Sequence, residues 1–131
     1  MDKKIIIAAA ILGASGIVLG AFGAHALKKV LAPDALAVFE TGVKYQMYHA
    51  LFLLFVGATA LVSQKAKKAI VILVVFGSML FSGSLYLLAA NALVEFDLKK
   101  IGFITPIGGL LLIAAWITLL LHIMNKKDKI S

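Results

Sequence analysis

IIIAAAILGASGIVLGAFGAHA, residues 5–26, contains no acid and no lysine. A bilayer core of about 30 Å is crossed by about 20 mostly apolar helical residues, so this stretch is long enough to span it. Residues 46–62, 69–93 and 105–124 read the same way, each without an acid or a lysine. Runs of this length are too long for buried strands, and an open sheet edge cannot face lipid. The expected fold is all-α: an integral membrane four-helix bundle, forming one transmembrane domain over residues 1–131.

Composition points the same way. The chain is 63% hydrophobic and 15% charged, whereas soluble domains run nearer half apolar and about a quarter charged. A domain this small must cover a large surface with polar groups, and six acids with thirteen basic residues cannot do so. Disorder is excluded by the same hydrophobicity. With no cysteine, disulfides and thiolate chemistry are ruled out. All the basic residues are Lys, which argues against specific nucleic-acid contacts, where Arg dominates. The formal charge of +7 suits anionic lipid headgroups.

The connections are short. Residues 64–68 read as a tight turn and 95–103 as a second link. Thr105 is the expected N-cap of span four, with Pro106 at its first helical position. In the longest connection, 28–45, Pro33-Asp34 marks a helix start with Asp34 as N-cap. Leu36, Phe39, Val43 and Met47 follow at helical spacing. Two forms are expected there: a short amphipathic helix at the membrane surface, bending near Thr41-Gly42 into span two, or a helix that simply protrudes beyond the bilayer. One side carries Lys3, Lys4, Lys65, Lys67, Lys68, Lys126, Lys127 and Lys129, with Asp2 and Asp128. The other carries Lys28, Lys29, Lys44, Lys99 and Lys100, with Asp34, Glu40, Glu95 and Asp97. Lysine excess puts both termini in the cytoplasm, and the expected location is multi-pass in a bacterial inner membrane. Lys3-Lys4, the apolar run and Ala24-His25-Ala26 also resemble a signal peptide, but the three later spans favour a retained anchor.

Small residues mark helix contacts. Gly16, Gly20 and Gly23 lie in span one, Gly83 in span three, and Gly108 and Gly109 in span four. Such residues let helices approach closely in lipid. Polar residues gather toward the end of the bundle away from the termini: His25, Glu40, Lys44, Tyr45, Gln46, Tyr48, His49, Ser82, Ser84 and Tyr86. Glu40 and Lys44 are spaced i, i+4 in the order that favours an ion pair. Tyr45 and Tyr48 fit an interfacial aromatic belt. Histidine is costly in a bilayer unless partnered, so a hydrogen bond between His25 and His49 is expected to lock span one to span two. His122, at the opposite end, is expected to snorkel to the headgroups.

Four strings spread over the chain are recognisable: GAFGAHAL (20–27), FETGVKYQMYHAL (39–51), FSGSLY (81–86) and IGFITPIGG (101–109). They resemble the small bacterial membrane proteins grouped as domain of unknown function 423, which are similar to a eukaryotic small transmembrane family. Phe103-Ile104 before the Thr-Pro pair is a minor departure. The resemblance implies a four-span inner-membrane protein and supplies no reaction.

No hydrolase elbow, zincin, Walker or dinucleotide motif occurs in a suitable context. His25, His49 and Glu40 have the right types for zinc but come from separate segments, so no metal site and no cofactor are assigned. Without a nucleophile or oxyanion donors, an enzyme is disfavoured. The favoured expectation is a scaffold or accessory protein that packs through its glycine faces with itself or a larger membrane protein. The alternative is binding or transport of a small ligand, lipid headgroup or ion through the polar cluster.

Overall fold

The computed structural model describes residues 1–93 and 99–126. Glu95, Asp97, Lys127, Asp128 and Lys129, which enter the lysine comparison above, lie outside the described residues. Four long helices run in chain order: α1 (Asp2–His25), α2 (Pro33–Ala58), α3 (Gln64–Ala90) and α4 (Ile104–Met124). Short 3-10 turns occupy Leu27–Lys29, Asn91–Leu93 and Lys99–Phe103, and no strand occurs among the described residues. The main packing partners are neighbours in the chain: α1 on α2, α2 on α3, α3 on α4. The end holding Met1, Ala58, Gln64 and Met124 is the base, and the other is the apex.

α1 with its 3-10 extension to Lys29, α3, and Lys100–Met124 are long and apolar enough to cross a membrane. Their outward faces fit that setting, with Ile11, Ile17 and Val18 on α1 and Leu110, Ile113 and Leu120 on α4 all exposed. The chain is an all-α membrane protein.

α2 separates the two expectations for the segment before span two. No separate surface helix forms and nothing bends at Thr41-Gly42: one helix runs from Pro33 to Ala58. Ala32 is held extended, at φ −62 and ψ 155, as the residue before a proline must be. Pro33, lacking an N–H, opens the helix where no donor is needed. Ala32 is therefore the N-cap, and Asp34 sits in the first turn. Pro33 also ends the linker after Leu27 and Leu31, which are buried with Phe39 and Ala89 in an apex cluster.

The base turn falls earlier than expected. Thr59 closes α2 in an extended conformation. Ser63 caps α3, its Oγ accepting from the Ala66 N–H at 3.2 Å. Lys65, Lys67 and Lys68 thus stand on the first turns of α3. Thr105 is not a cap either: Phe103 holds the N-cap position of α4, without a side-chain cap bond.

The α1–α2 register is antiparallel and built on glycine. A Cβ at Gly13, Gly16, Gly20 or Gly23 would meet Ala50, Met47, Val43 or Phe39 respectively. Gly13 and Ser15 lie near the middle of α1, so Gln46 and His49 lie near the middle of α2. A larger core cluster fills the base half, with Ile5, Phe52, Leu53, Val56, Ile70, Val74 and Ala115.

Candidate functional site

The ten polar candidates separate into four places. The first is a network midway along the helices. Gln46 is buried on α2, facing α1 and α3. Its amide nitrogen donates to the Leu12 carbonyl at 2.9 Å and to Ser15 Oγ at 2.8 Å. A carbonyl can only accept, which fixes the amide's orientation. Gln46 Oε1 then accepts from the Tyr86 hydroxyl at 2.6 Å. Ser15 passes its own proton back to the Ile11 carbonyl at 2.7 Å. One glutamine thereby ties α1, α2 and α3 together without a formal charge.

Beside this network lies a cavity of about 360 Å³, lined by Leu12, Ser15, Gln46, Ser78, Gly83 and Tyr86 among others. Ser78 is 3% exposed, yet its Oγ has no hydrogen-bond partner among the described residues. A buried hydroxyl without a partner costs about 1–3 kcal/mol, and native structures keep few of them.

The second place is on the adjacent face of α2, toward α4. His49 Nε2 accepts from the Trp116 indole N–H at 3.1 Å. Its Nδ1 must then carry the proton, which it donates to the Tyr45 carbonyl, 2.7 Å away. This is the neutral imidazole, with both nitrogens satisfied. Phe52 stacks on Trp116, with centroids 4.0 Å apart. The expected bond between His25 and His49 is absent: His25 is exposed at the end of α1, far along the helix from His49's mid-helix position. Tyr45 and Tyr48 are exposed and pack edge-on to each other, and Tyr45 also packs on Phe81.

The third place joins α3 to its neighbours. Ser82 Oγ donates to the Gly42 carbonyl at 2.7 Å. Ser84 and Thr105 share a hydrogen bond of 2.5 Å, which gives Thr105 a role between helices in place of the cap. The fourth is at the apex, where exposed Glu40 and Lys44 border a groove between α1 and α2. The single ion pair among the described residues is elsewhere, so the expected Glu40–Lys44 pair does not form.

That ion pair closes the base. Lys67 is 1% exposed. Its Nζ lies 3.0 Å from Asp2 Oδ1 and 3.5 Å from the Gly57 carbonyl at the end of α2. Gln64 donates to the same carboxylate oxygen at 2.9 Å. His122 does not simply reach for headgroups; its Nε2 accepts the Ser63 N–H at 3.1 Å, and Lys126 donates to the Leu61 carbonyl at 2.7 Å.

Sequence inspection missed Ser15, Ser78 as a site residue, Trp116 and the Asp2–Lys67 pair. Trp116 carried a signal. It is the sole Trp and falls mid-span, whereas Trp favours the membrane interface, so its N–H needed a buried acceptor. Among the described residues, no group of three His, Asp or Glu gathers closely enough to hold a metal; His25, Glu40 and His49 stay apart.

The same arrangement can be placed among known proteins. A profile described as "Protein of unknown function (DUF423)" matches residues 19–109. The chain belongs to this family. Across DUF423 relatives, it is 40% identical over 119 residues to a UPF0382 membrane protein of Staphylococcus saprophyticus, covering 91% of this chain and 95% of the relative. It is also 40% identical over 119 residues to a UPF0382 membrane protein of Haemophilus influenzae, covering 91% and 92%. With the UPF0382 inner membrane protein YgdD of Escherichia coli it shares 34% over 133 residues, covering 98% and 95%. No solved structure matches. This DUF423 chain is a multi-pass protein of the bacterial inner membrane.

Proposed function

We propose that the chain is a single transmembrane domain of four crossings, termini in the cytoplasm, that binds a small uncharged polar molecule in the cleft between α1, α2 and α3. α2 counts as the fourth crossing because it runs beside α1 along its length. The observation that carries the binding reading is Ser78 Oγ, buried and unpartnered beside the Gln46 network in a cavity of about 360 Å³. That volume lies within the usual range of ligand pockets, about 300–1,000 Å³. Ser15, Gln46, Ser78 and Tyr86 offer only neutral donors and acceptors, which selects against ions in a low-dielectric setting. Because α1 and α3 touch little, the cleft opens sideways, and the ligand enters from the membrane.

A scaffold role, with this chain packed against a second copy or a larger protein, draws little support from the glycine faces expected to mediate it, of which Gly83 alone faces open space. Gly16, Gly20 and Gly23 are filled by α2, and Gly108 by α3.

Native mass spectrometry from mild detergent tests the proposal on the wild type and on Ser78→Ala. A defined extra mass is expected on the wild type and lost from Ser78→Ala, with the thermal midpoint unchanged. No bound mass on the wild type, together with a more stable Ser78→Ala, would make the hydroxyl a mere packing defect and end the proposal.

A further inference from the structure

We propose that the apex groove between α1 and α2 holds a zwitterionic phospholipid with a primary ammonium headgroup. The groove is about 280 Å³, floored by Gly20, Gly23 and Ala24 and walled by Phe39 and Val43. Glu40 and Lys44 stand on its α2 side, both exposed. Helical spacing puts them on the flank of α2 away from Gln46, so this groove is separate from the mid-helix cleft and does not depend on it.

Three observations select the occupant. First, Glu40 and Lys44 have the spacing and order that favour an ion pair, yet neither is in one among the described residues. Both charges are therefore free to meet a ligand, and a zwitterion supplies a partner for each. An anionic lipid would satisfy Lys44 and repel Glu40. Second, the charges are in the right order. Glu40 lies one turn nearer the apex than Lys44, about 6 Å along the helix axis. A phospholipid's phosphate, attached to glycerol, sits deeper than its ammonium. Lys44 therefore meets the phosphate and Glu40 the ammonium. Third, a carboxylate binds best to N–H donors. A primary ammonium has three and a quaternary ammonium none, so an ethanolamine-type headgroup is preferred to a choline type.

The test is native mass spectrometry of the full chain titrated with phosphatidylethanolamine, phosphatidylcholine and phosphatidylglycerol of matched acyl chains. The wild type is expected to retain the ethanolamine lipid about tenfold better than the other two, the lower end for one hydrogen bond to a charged group. Glu40→Gln removes the preference over the choline lipid. Lys44→Gln weakens all three. The double exchange Glu40→Lys with Lys44→Glu keeps the net charge but reverses the order of charges, and it also abolishes the preference. Both side chains are exposed, so a thermal midpoint within about 2 °C of wild type confirms folding. Equal binding of the ethanolamine and choline lipids by the wild type, tighter binding of the glycerol lipid, or an unaltered preference in the double exchange would each overturn the proposal.

Discussion

Of the three helix seams in this molecule, α1–α2 and α3–α4 use glycine differently. In the α1–α2 seam, each α1 glycine faces a side chain. A Cβ at Gly16 would sit 2.6 Å from Met47 Sδ, and one at Gly20 would sit 3.3 Å from Val43 Cγ1. In the α3–α4 seam the backbones themselves meet. A Cβ on Gly108 would run into the Phe81 amide nitrogen and lie 2.8 Å from the Leu80 carbonyl carbon. Across the seam, a Cβ on Gly77 would lie 3.2 Å from the Gly108 carbonyl oxygen. No described glycine has a positive φ, so every one of these serves by leaving space. Where the neighbour is a thioether tip, the space can be renegotiated. Where it is main chain, it cannot.

The largest effect should therefore come from Gly108→Ala. Overpacking commonly costs about 1–3 kcal/mol, with more when backbone must shift, and this site should reach about 3 kcal/mol or beyond. The measurement is the thermal midpoint in detergent, with proteolysis of the α3–α4 link as a second readout. A midpoint within a degree of wild type would mean that the two backbones are not so close, and the contrast between the seams would fail.

Next comes the base, where α1, α2 and α3 converge on Lys67. Lys67 is 1% exposed, while the Asp2 side chain is 49% exposed. Removing one partner of a buried pair is worst for the partner left in the dry. Asp2→Asn strands the Lys67 ammonium with only the Gly57 carbonyl and the Asn side chain. Lys67→Met leaves a carboxylate that water and Gln64 can still serve. Asp2→Asn should lower the thermal midpoint more than Lys67→Met does. The reverse order would assign the clamp to Asp2's contacts with Gln64.

Much of the fold was legible because hydropathy and length report directly on the bilayer. The expected spans 5–26, 69–93 and 105–124 each overlap the helix that forms. What hydropathy did not show was the length of α2. Asp34, Glu40 and Lys44 depress hydropathy in the first half of α2, so span two was expected to start at Gln46, at the membrane edge. Pro33 in fact starts one unbroken helix, and that places Gln46 and His49 midway along it. The same shift explains the site. Ten polar residues expected in one cluster face different neighbours, because α2 presents Gln46 to α1 and α3 but His49 to α4. Spacing on one helix shows which residues share a face. It does not show what that face meets.

A smaller effect is expected at Gly16→Ala. The added methyl displaces only Met47's flexible end, and alanine gains about 1 kcal/mol of helix propensity over glycine. The net change in stability should lie within about 1 kcal/mol of zero, as read by the same thermal midpoint. A loss approaching that at Gly108 would show that Met47 has no other rotamer available, and the two seams would then be equally rigid.

Gly83 should show the smallest effect on stability, and it links the seams to function. It sits on α3 between the two seams, and a Cβ there meets nothing within 4 Å. Helix propensity alone then favours Gly83→Leu by somewhat under 1 kcal/mol. Gly83 also lines the cleft that holds Ser78 and Tyr86. A leucine there enters the cavity without disturbing any bond made by Gln46. A binding cleft predicts a thermal midpoint equal to or above wild type and a bound mass that disappears. If the space exists only because packing is imperfect, the leucine fills it, stability rises by more than propensity explains, and no bound species is lost because none was present. Those outcomes differ in the second readout, which is why Gly83→Leu separates a ligand site from a void more cleanly than any change to the polar residues themselves.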